Sequence, residues 1–433
     1  MREVKKINVV TLGCSKNLVD SEYLLKQLNA AGWSVQNDSN DLSARTVVIN
    51  TCGFIADAKE ESINTILSYS EAKRKGLIDR VYVMGCLSQR YKNDLQKEIP
   101  EVDGFFGVNQ LQDILSELNV NFSTENANKR YITTPKHYAY LKISEGCNWG
   151  CSFCAIPLIR GKHVSKPINE IIEQAKELVK DGVKELILIG QDSTFYGKDL
   201  YGERRITQLV REISRIEGLS WVRIHYAYPA QFPEDLLVEM ALNPKICKYI
   251  DIPFQHISTN VLKEMKRGIS RNETLDLIAK IRKLVSDVAI RTTLLVGHPG
   301  ETESDFEELV EFVKEVKFDR LGVFSYSEEE GTASAKLDDA ITEAEKQSRV
   351  DRVMETQRGI SLAKNNERIG KVYEVIIDRF EGDWAIGRTQ FDSPEVDQEV
   401  LIDIIENTEI VEGEIITCKI VRAEEYDLYG EVV

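Results

Sequence analysis

Tyr138-Ala139-Tyr140-Leu141-Lys142-Ile143-Ser144-Glu145-Gly146-Cys147-Asn148-Trp149-Gly150-Cys151-Ser152-Phe153-Cys154 runs from an apolar strand straight into three cysteines spaced C-x3-C-x2-C. Thiolate sulfur is the soft ligand of iron–sulfur clusters, and a cubane normally takes four. Three local thiolates leave one iron open to a ligand that is not protein. That arrangement suits a cluster that grips S-adenosylmethionine (SAM) through its amine and carboxylate and then reduces its sulfonium. The competing reading is a structural zinc whose fourth ligand comes from elsewhere, such as His163, although such zinc sites usually show paired C-x2–4-C knuckles.

Outward from that stretch, residues 135–364 repeat strand then helix six times, with strands expected at 138–144, 185–190, 222–226, 249–252, 289–296 and 320–325. Six such units predict a partial (β/α)6 TIM-like barrel with its site at the C-terminal strand ends, where Cys147 falls. Polar clusters close the later strands. Gln191-Asp192-Ser193 follows the second, Gln255-His256 the fourth and Gly297-His298 the fifth, all candidates to clamp SAM. Arg160 and Lys166, just past the cysteines, are candidate partners for a carboxylate. Phe153 and Trp149 are expected to shield a reducing centre from water. For His256 and His298 the better reading is a hydrogen-bonded structural histidine.

Residues 1–130 read as a separate α/β domain with a doubly wound parallel sheet. Strands are expected at 7–12, 46–50 and 81–84, each followed by a helix, at 17–31, 55–75 and 87–98. Cys14, Cys52 and Cys86 each close or follow one of these strands. Ligands of open parallel sheets sit beyond the carboxyl strand ends. Three loops delivering one thiol each can hold a second cluster with an open iron; the alternative is three core cysteines. Residues 366–433 hold five short strand-like runs and predict a small OB-like closed barrel. Cys418 and Cys247 read as core.

The net charge of −16 is concentrated in that last segment, where 18 acids face 6 bases. A nucleic-acid reader would be basic, so this tail is expected to attract a basic partner or to serve solubility alone. At 433 residues and 42% hydrophobic content the chain supports two to four domains, by a prior of about 150 residues each. No run of eighteen apolar residues is present, no signal peptide is expected, and eight cysteines are too few for a disulfide scaffold. A cytoplasmic protein is expected.

Taken together, the N-terminal cysteines, the C-x3-C-x2-C barrel and the terminal barrel resemble the radical SAM methylthiotransferases from end to end. Cys154-Ala155-Ile156-Pro157-Leu158-Ile159-Arg160-Gly161, Gly190-Gln191-Asp192-Ser193-Thr194 and Asp251-Ile252-Pro253-Phe254-Gln255-His256 resemble the RimO branch. The resemblance implies a TRAM-like substrate-binding C-terminal domain, two 4Fe-4S clusters on Cys14, Cys52, Cys86 and on Cys147, Cys151, Cys154, and SAM in two roles. One SAM would methylate a sulfide at the first cluster. The other would give a 5′-deoxyadenosyl radical that removes a hydrogen from the β-carbon of an aspartate in ribosomal protein S-twelve. It also implies an electron donor of the flavodoxin or ferredoxin kind. The sister MiaB-like reading, with tRNA adenosine as substrate, and a non-catalytic iron–sulfur protein that binds RNA or ribosomes are the alternatives.

Overall fold

The computed structural model describes residues 5–41, 43–404 and 410–433. Its N-terminal sheet has five parallel strands in the order Ser34–Asn37, Lys6–Thr11, Thr46–Thr51, Arg80–Gly85 and Gly104–Phe105. Alternation along the strands explains the double winding. Ile7, Val9 and Val48 face helices Ser15–Ala30 and Leu111–Glu117. Val47, Ile49, Val81 and Val83 face helices Ala56–Arg74 and Cys86–Glu98. The two edge strands and the helix Leu111–Glu117 go beyond the sequence reading.

Six parallel strands form the central partial barrel: Tyr138–Lys142, Glu185–Ile189, Trp221–Ile224, Tyr249–Asp251, Ala289–Val296 and Arg320–Ser325. They make two three-stranded sheets joined by the parallel bridge Val222–Ile246, and the first and sixth strands do not pair. The barrel is therefore open along one side. Outward positions such as Leu141, Leu186, Leu188, Ile250 and Ile290 pack on the helices. The third strand stops short of the expected 226 because Tyr226 turns into a left-handed conformation, φ +60°.

Inward positions include Ile187 and Ile189 and, toward the base, the polar Glu185, Arg223, Asp251, Arg291 and Arg320. The C-terminal domain answers them. It is a closed five-stranded barrel of Val372–Glu381, Trp384–Thr389, Glu399–Asp403, Ile415–Ala423 and Asp427–Val432. Its loop 390–398 enters the base of the large barrel. Asp392 accepts from Arg320 Nε at 2.9 Å, Asp397 from Tyr249 Oη at 2.7 Å, and Glu395 from Tyr138 Oη at 3.0 Å. Ser393 pairs with His225 Nε2 at 2.9 Å, and Gln390 O accepts from Arg223 Nη1 at 2.9 Å. Buried Glu185 joins Arg223 at 2.7 Å and also forms an ion pair with Arg388. Part of the acidity expected to face a partner is thus turned inward on the chain's own arginines. Cys418 and Cys247 are buried core residues.

Candidate active site at the seam of two domains

The barrel's cysteine loop hangs between two short strands, Ser144–Glu145 and Val164–Ser165, paired antiparallel. Gly146 begins the loop at φ +72°; a Cβ there would stand 2.1 Å from Lys162 O, so only glycine fits. Cys147 N donates to Gly161 O at 3.0 Å and Cys154 N to Cys151 O at 3.1 Å. Ser152 anchors the middle: its hydroxyl donates to Glu264 O at 2.7 Å, and its carbonyl accepts from Ser334 N at 2.8 Å. Burial pushes the Cys147 thiol up to about 11 and the Cys154 thiol up to about 12, and the neighbouring sulfurs add to the rise. Such thiols ionise only when something positive takes the sulfur.

Cys14, Cys52 and Cys86 follow three adjacent strands of the N-terminal sheet. Gly13 lies so close to Cys52 that a Cβ on it would meet Cys52 Cβ at 2.7 Å, and Gly53 stands likewise against Leu87. Burial pushes the Cys86 thiol up to about 12, with Arg160 opposing and Cys14 and Cys52 adding to the rise. Cys52 is raised by burial as well. Among the described residues no three His, Cys, Asp or Glu side chains gather round a point as a single metal ion requires. A four-iron cube is larger than one ion and takes its thiolates at separate corners, and within each trio the cysteines lie near enough to raise one another's thiols. His163, weighed as a zinc ligand, instead bonds Ser165 Oγ at 3.0 Å.

The N-terminal trio touches the barrel's cysteine segment through Cys86. Cys86 packs with Val108, Ala155 and Ile159, and Ala155 follows Cys154 in the chain. Arg160, on the short helix Ile156–Arg160, crosses the seam. Its Nη1 donates to both Glu145 oxygens at 2.9 Å; its Nη2 donates to Asn17 Oδ1 at 2.6 Å and Cys86 Sγ at 3.4 Å. Asp20 and Lys142 complete a buried quartet, with Asp20 3.3 Å from Arg160. Burial alone would raise the Glu145 carboxyl, but Lys142 and Arg160 together hold it well below the carboxylate range. The partner that Arg160 was expected to find in SAM is therefore supplied by Asp20 and Glu145.

Other expected clamps are also engaged internally. Asp192 caps the turn Ser193–Phe195 through Thr194 N and Phe195 N, and accepts from Trp149 Nε1 at 2.6 Å. Ser193 Oγ donates to His225 O at 2.6 Å. The side of Gly297 where a Cβ would project is filled by Lys346, 2.4 Å from that position, so its backbone is not bared there for a ligand. Gln191 Nε2 donates to Glu145 at 3.1 Å while its Oε1 is buried without a partner, and Gln255 holds φ +72° on a half-buried side chain. Phe153 is half-buried within the loop. Lys166 donates to Tyr23 Oη at 3.0 Å. His256 accepts from Ser258 N, and His298 bonds Ser334 Oγ, as structural histidines do.

Residues 141–313 match a model of the Radical SAM superfamily, 369–433 a TRAM domain, and 6–107 the uncharacterized protein family UPF0004. A protein of Cytophaga hutchinsonii named "Ribosomal protein uS12 methylthiotransferase RimO" is 52% identical over 99% of this chain and 98% of its own length. One of Flavobacterium johnsoniae with the same name is 53% identical over 98% of each. This chain belongs to the RimO methylthiotransferase family. The radical SAM methyltransferase TsrM of Kitasatospora setae shares the fold at TM-score 0.53 and 14% identity, over 75% of this chain and 72% of that one. The RimO-family chain is thus a radical SAM transferase that works with SAM and 4Fe-4S clusters.

Two residues of this RimO-family site escaped the sequence reading. Arg267 Nη1 donates to Cys151 Sγ at 3.3 Å and stacks over Tyr228 at 4.3 Å. Tyr228 lies 3.9 Å from Trp149, nearly parallel at 10°, with its hydroxyl 3.5 Å from Cys151 Sγ. Tyr228 follows the turn made by the left-handed Tyr226, just past the strand Trp221–Ile224, a strain the one-letter code does not carry. Arg267 sits in an ordinary basic turn and gives no signal. No helix of the described residues is long and apolar enough to cross a membrane.

Proposed function

We propose that this chain adds a methylthio group to the β-carbon of an aspartate of ribosomal protein uS12, the substrate in its relatives' names. The observation that supports the reading is the contact between the two domains at their cysteines: Cys86 packs with Ala155 and Ile159, just past Cys154 in the chain, and accepts from Arg160. Cys147, Cys151 and Cys154 would hold one 4Fe-4S cluster, and Cys14, Cys52 and Cys86 the other. When bound there, SAM and the two clusters supply one-electron reduction, hydrogen removal from carbon, and the methylated sulfur. An unactivated C–H bond offers no proton to a side-chain base, so this chemistry lies with the cofactors. The chain's own part is positioning. Ser152, Gly146 and the Asp192–Trp149 bond fix the barrel loop; Arg160 pins it against the N-terminal trio; Trp149 and Tyr228 roof it with apolar rings.

Reduction implies a small electron donor such as a flavodoxin or ferredoxin, and a ribosomal substrate implies the cytoplasm. Iron and sulfide should come to roughly eight each per chain, two cubanes of four. Each triple Cys→Ala variant should lose half. Mass spectrometry of uS12 incubated with the reduced enzyme and SAM should show a methylthio group on one aspartate. A modified tRNA adenosine alongside unmodified uS12 would overturn the substrate.

A further inference from the structure

The sixth barrel strand, Arg320–Ser325, is paired on one side only and ends its sheet at the barrel's opening. Leu321 and Val323 pack outward on the helix-facing core, so Arg320, Gly322 and Phe324 line the lumen. Arg320 is held by Asp392. Above Gly322 a Cβ would meet nothing within 4 Å, and Phe324 at the mouth end is 54% exposed. A groove of about 380 Å³ runs beside this strand, walled by helix Glu343–Asn366 and by Glu425, Tyr426 and Asp427 of the C-terminal barrel. Gln357, 2% exposed, and Gln398, 6% exposed, line it, each with a buried amide atom that has no hydrogen-bond partner. Such atoms are costly unless a ligand group meets them.

We propose that this groove receives an extended, basic segment of the protein substrate, which lies along Arg320–Ser325 as an added strand. The inference rests on the proposed function, since it takes the substrate to be a protein. An open strand edge offers a row of N–H and C=O groups that a peptide backbone satisfies, and Gln357 and Gln398 offer two more polar atoms of the same kind. Charge sets the kind of peptide. Of the acids lining the groove, Asp319, Asp397 and Glu399 are paired with Lys364, Arg291 and Arg379, while Glu425 and Asp427 have no ion-pair partner among the described residues. The surplus is negative, which attracts a basic segment and repels a phosphate backbone. The track also leads to the chemistry. Beyond Ser325 the chain reaches Glu329, which pairs with Lys59 at 3.0 Å and Arg90 at 2.6 Å on the N-terminal domain, at the seam of the two domains.

The test is binding of purified uS12 to the cluster-loaded enzyme by anaerobic calorimetry, with hydrogen exchange on the complex. G322F fills the groove from within the strand; E425K with D427K reverses its charge without touching the strand. Each is expected to weaken uS12 binding at least tenfold, with wild-type iron content and melting temperature confirming the fold. D383K, an exposed acid outside the groove, should bind as wild type. Amides of 320–325 should gain protection when uS12 is bound. If wild type binds uS12 while both groove variants bind it equally well, or protection falls elsewhere, the groove is wrong and the function stands. If wild type does not bind uS12 at all, the functional reading falls first and the groove falls with it.

Discussion

Arg160 offers the sharpest test of how the two domains are held together. Its side chain is 1% exposed and faces Glu145 and Asp20, whose side chains keep only 18% and 13% of their exposure, with Lys142 as the second cation, so two acids balance two bases in a largely dry seam. Replacing it with methionine keeps much of the volume and strands a carboxylate. Removing one partner of a buried ion pair costs about 3–5 kcal/mol, because the remaining charge has no compensation. Lysine in its place keeps the charge but loses the fork that spans Glu145, Asn17 and Cys86, at about 1.5–3 kcal/mol for a charge-assisted bond. Combining E145Q with R160M should cost less than the two single changes added, since the orphaned charge goes too. Anaerobic urea unfolding of the cluster-loaded chain, followed by tryptophan fluorescence, reads these differences. An R160M loss below about 1 kcal/mol, the worth of a surface pair, would refute a dry, interlocked seam.

Further outcomes follow from other parts of the molecule. G146A forces a left-handed alanine against Lys162 O, so iron should fall to about half, with the remainder on the N-terminal trio. E185Q leaves Arg223 and Arg388 short of their shared carboxylate; a loss of about 3–5 kcal/mol should appear as faster proteolytic release of the C-terminal barrel. Burial, with His298 and Arg349 nearby and Asp305 opposing, pushes His256 down to about 3. The unfolded chain therefore binds a proton near pH 6.5 that the folded chain refuses. Stability should fall by about 2 kcal/mol between pH 8 and pH 5 on this account, and H256Q should remove that share of the pH dependence in urea titrations.

The strands and helices that carry cysteines were legible because apolar runs of four to six residues ended in Gly-Cys or Thr-Cys steps, as at Gly13-Cys14 and Thr51-Cys52. Edge strands were not. Ser34–Asn37 is largely polar and Gly104–Phe105 is two residues long, too short for periodicity to speak. The polar strand ends were visible, but their use was not. Asp192 reads the same whether it holds a ligand or caps a turn, and only the distance to Trp149 Nε1 separates the two. Acidic Asp392, Glu395 and Asp397 look like a solvated turn; their partners Arg320, Tyr138 and Arg291 lie 72 to 257 residues away, beyond any local pattern.

The loop 390–398 stoppers the large barrel from below, leaving the cysteine end and the open flank as its doorway. A chamber closed at its base admits everything from the mouth or the flank. A macromolecule lying over both openings would therefore hold small molecules inside until it leaves.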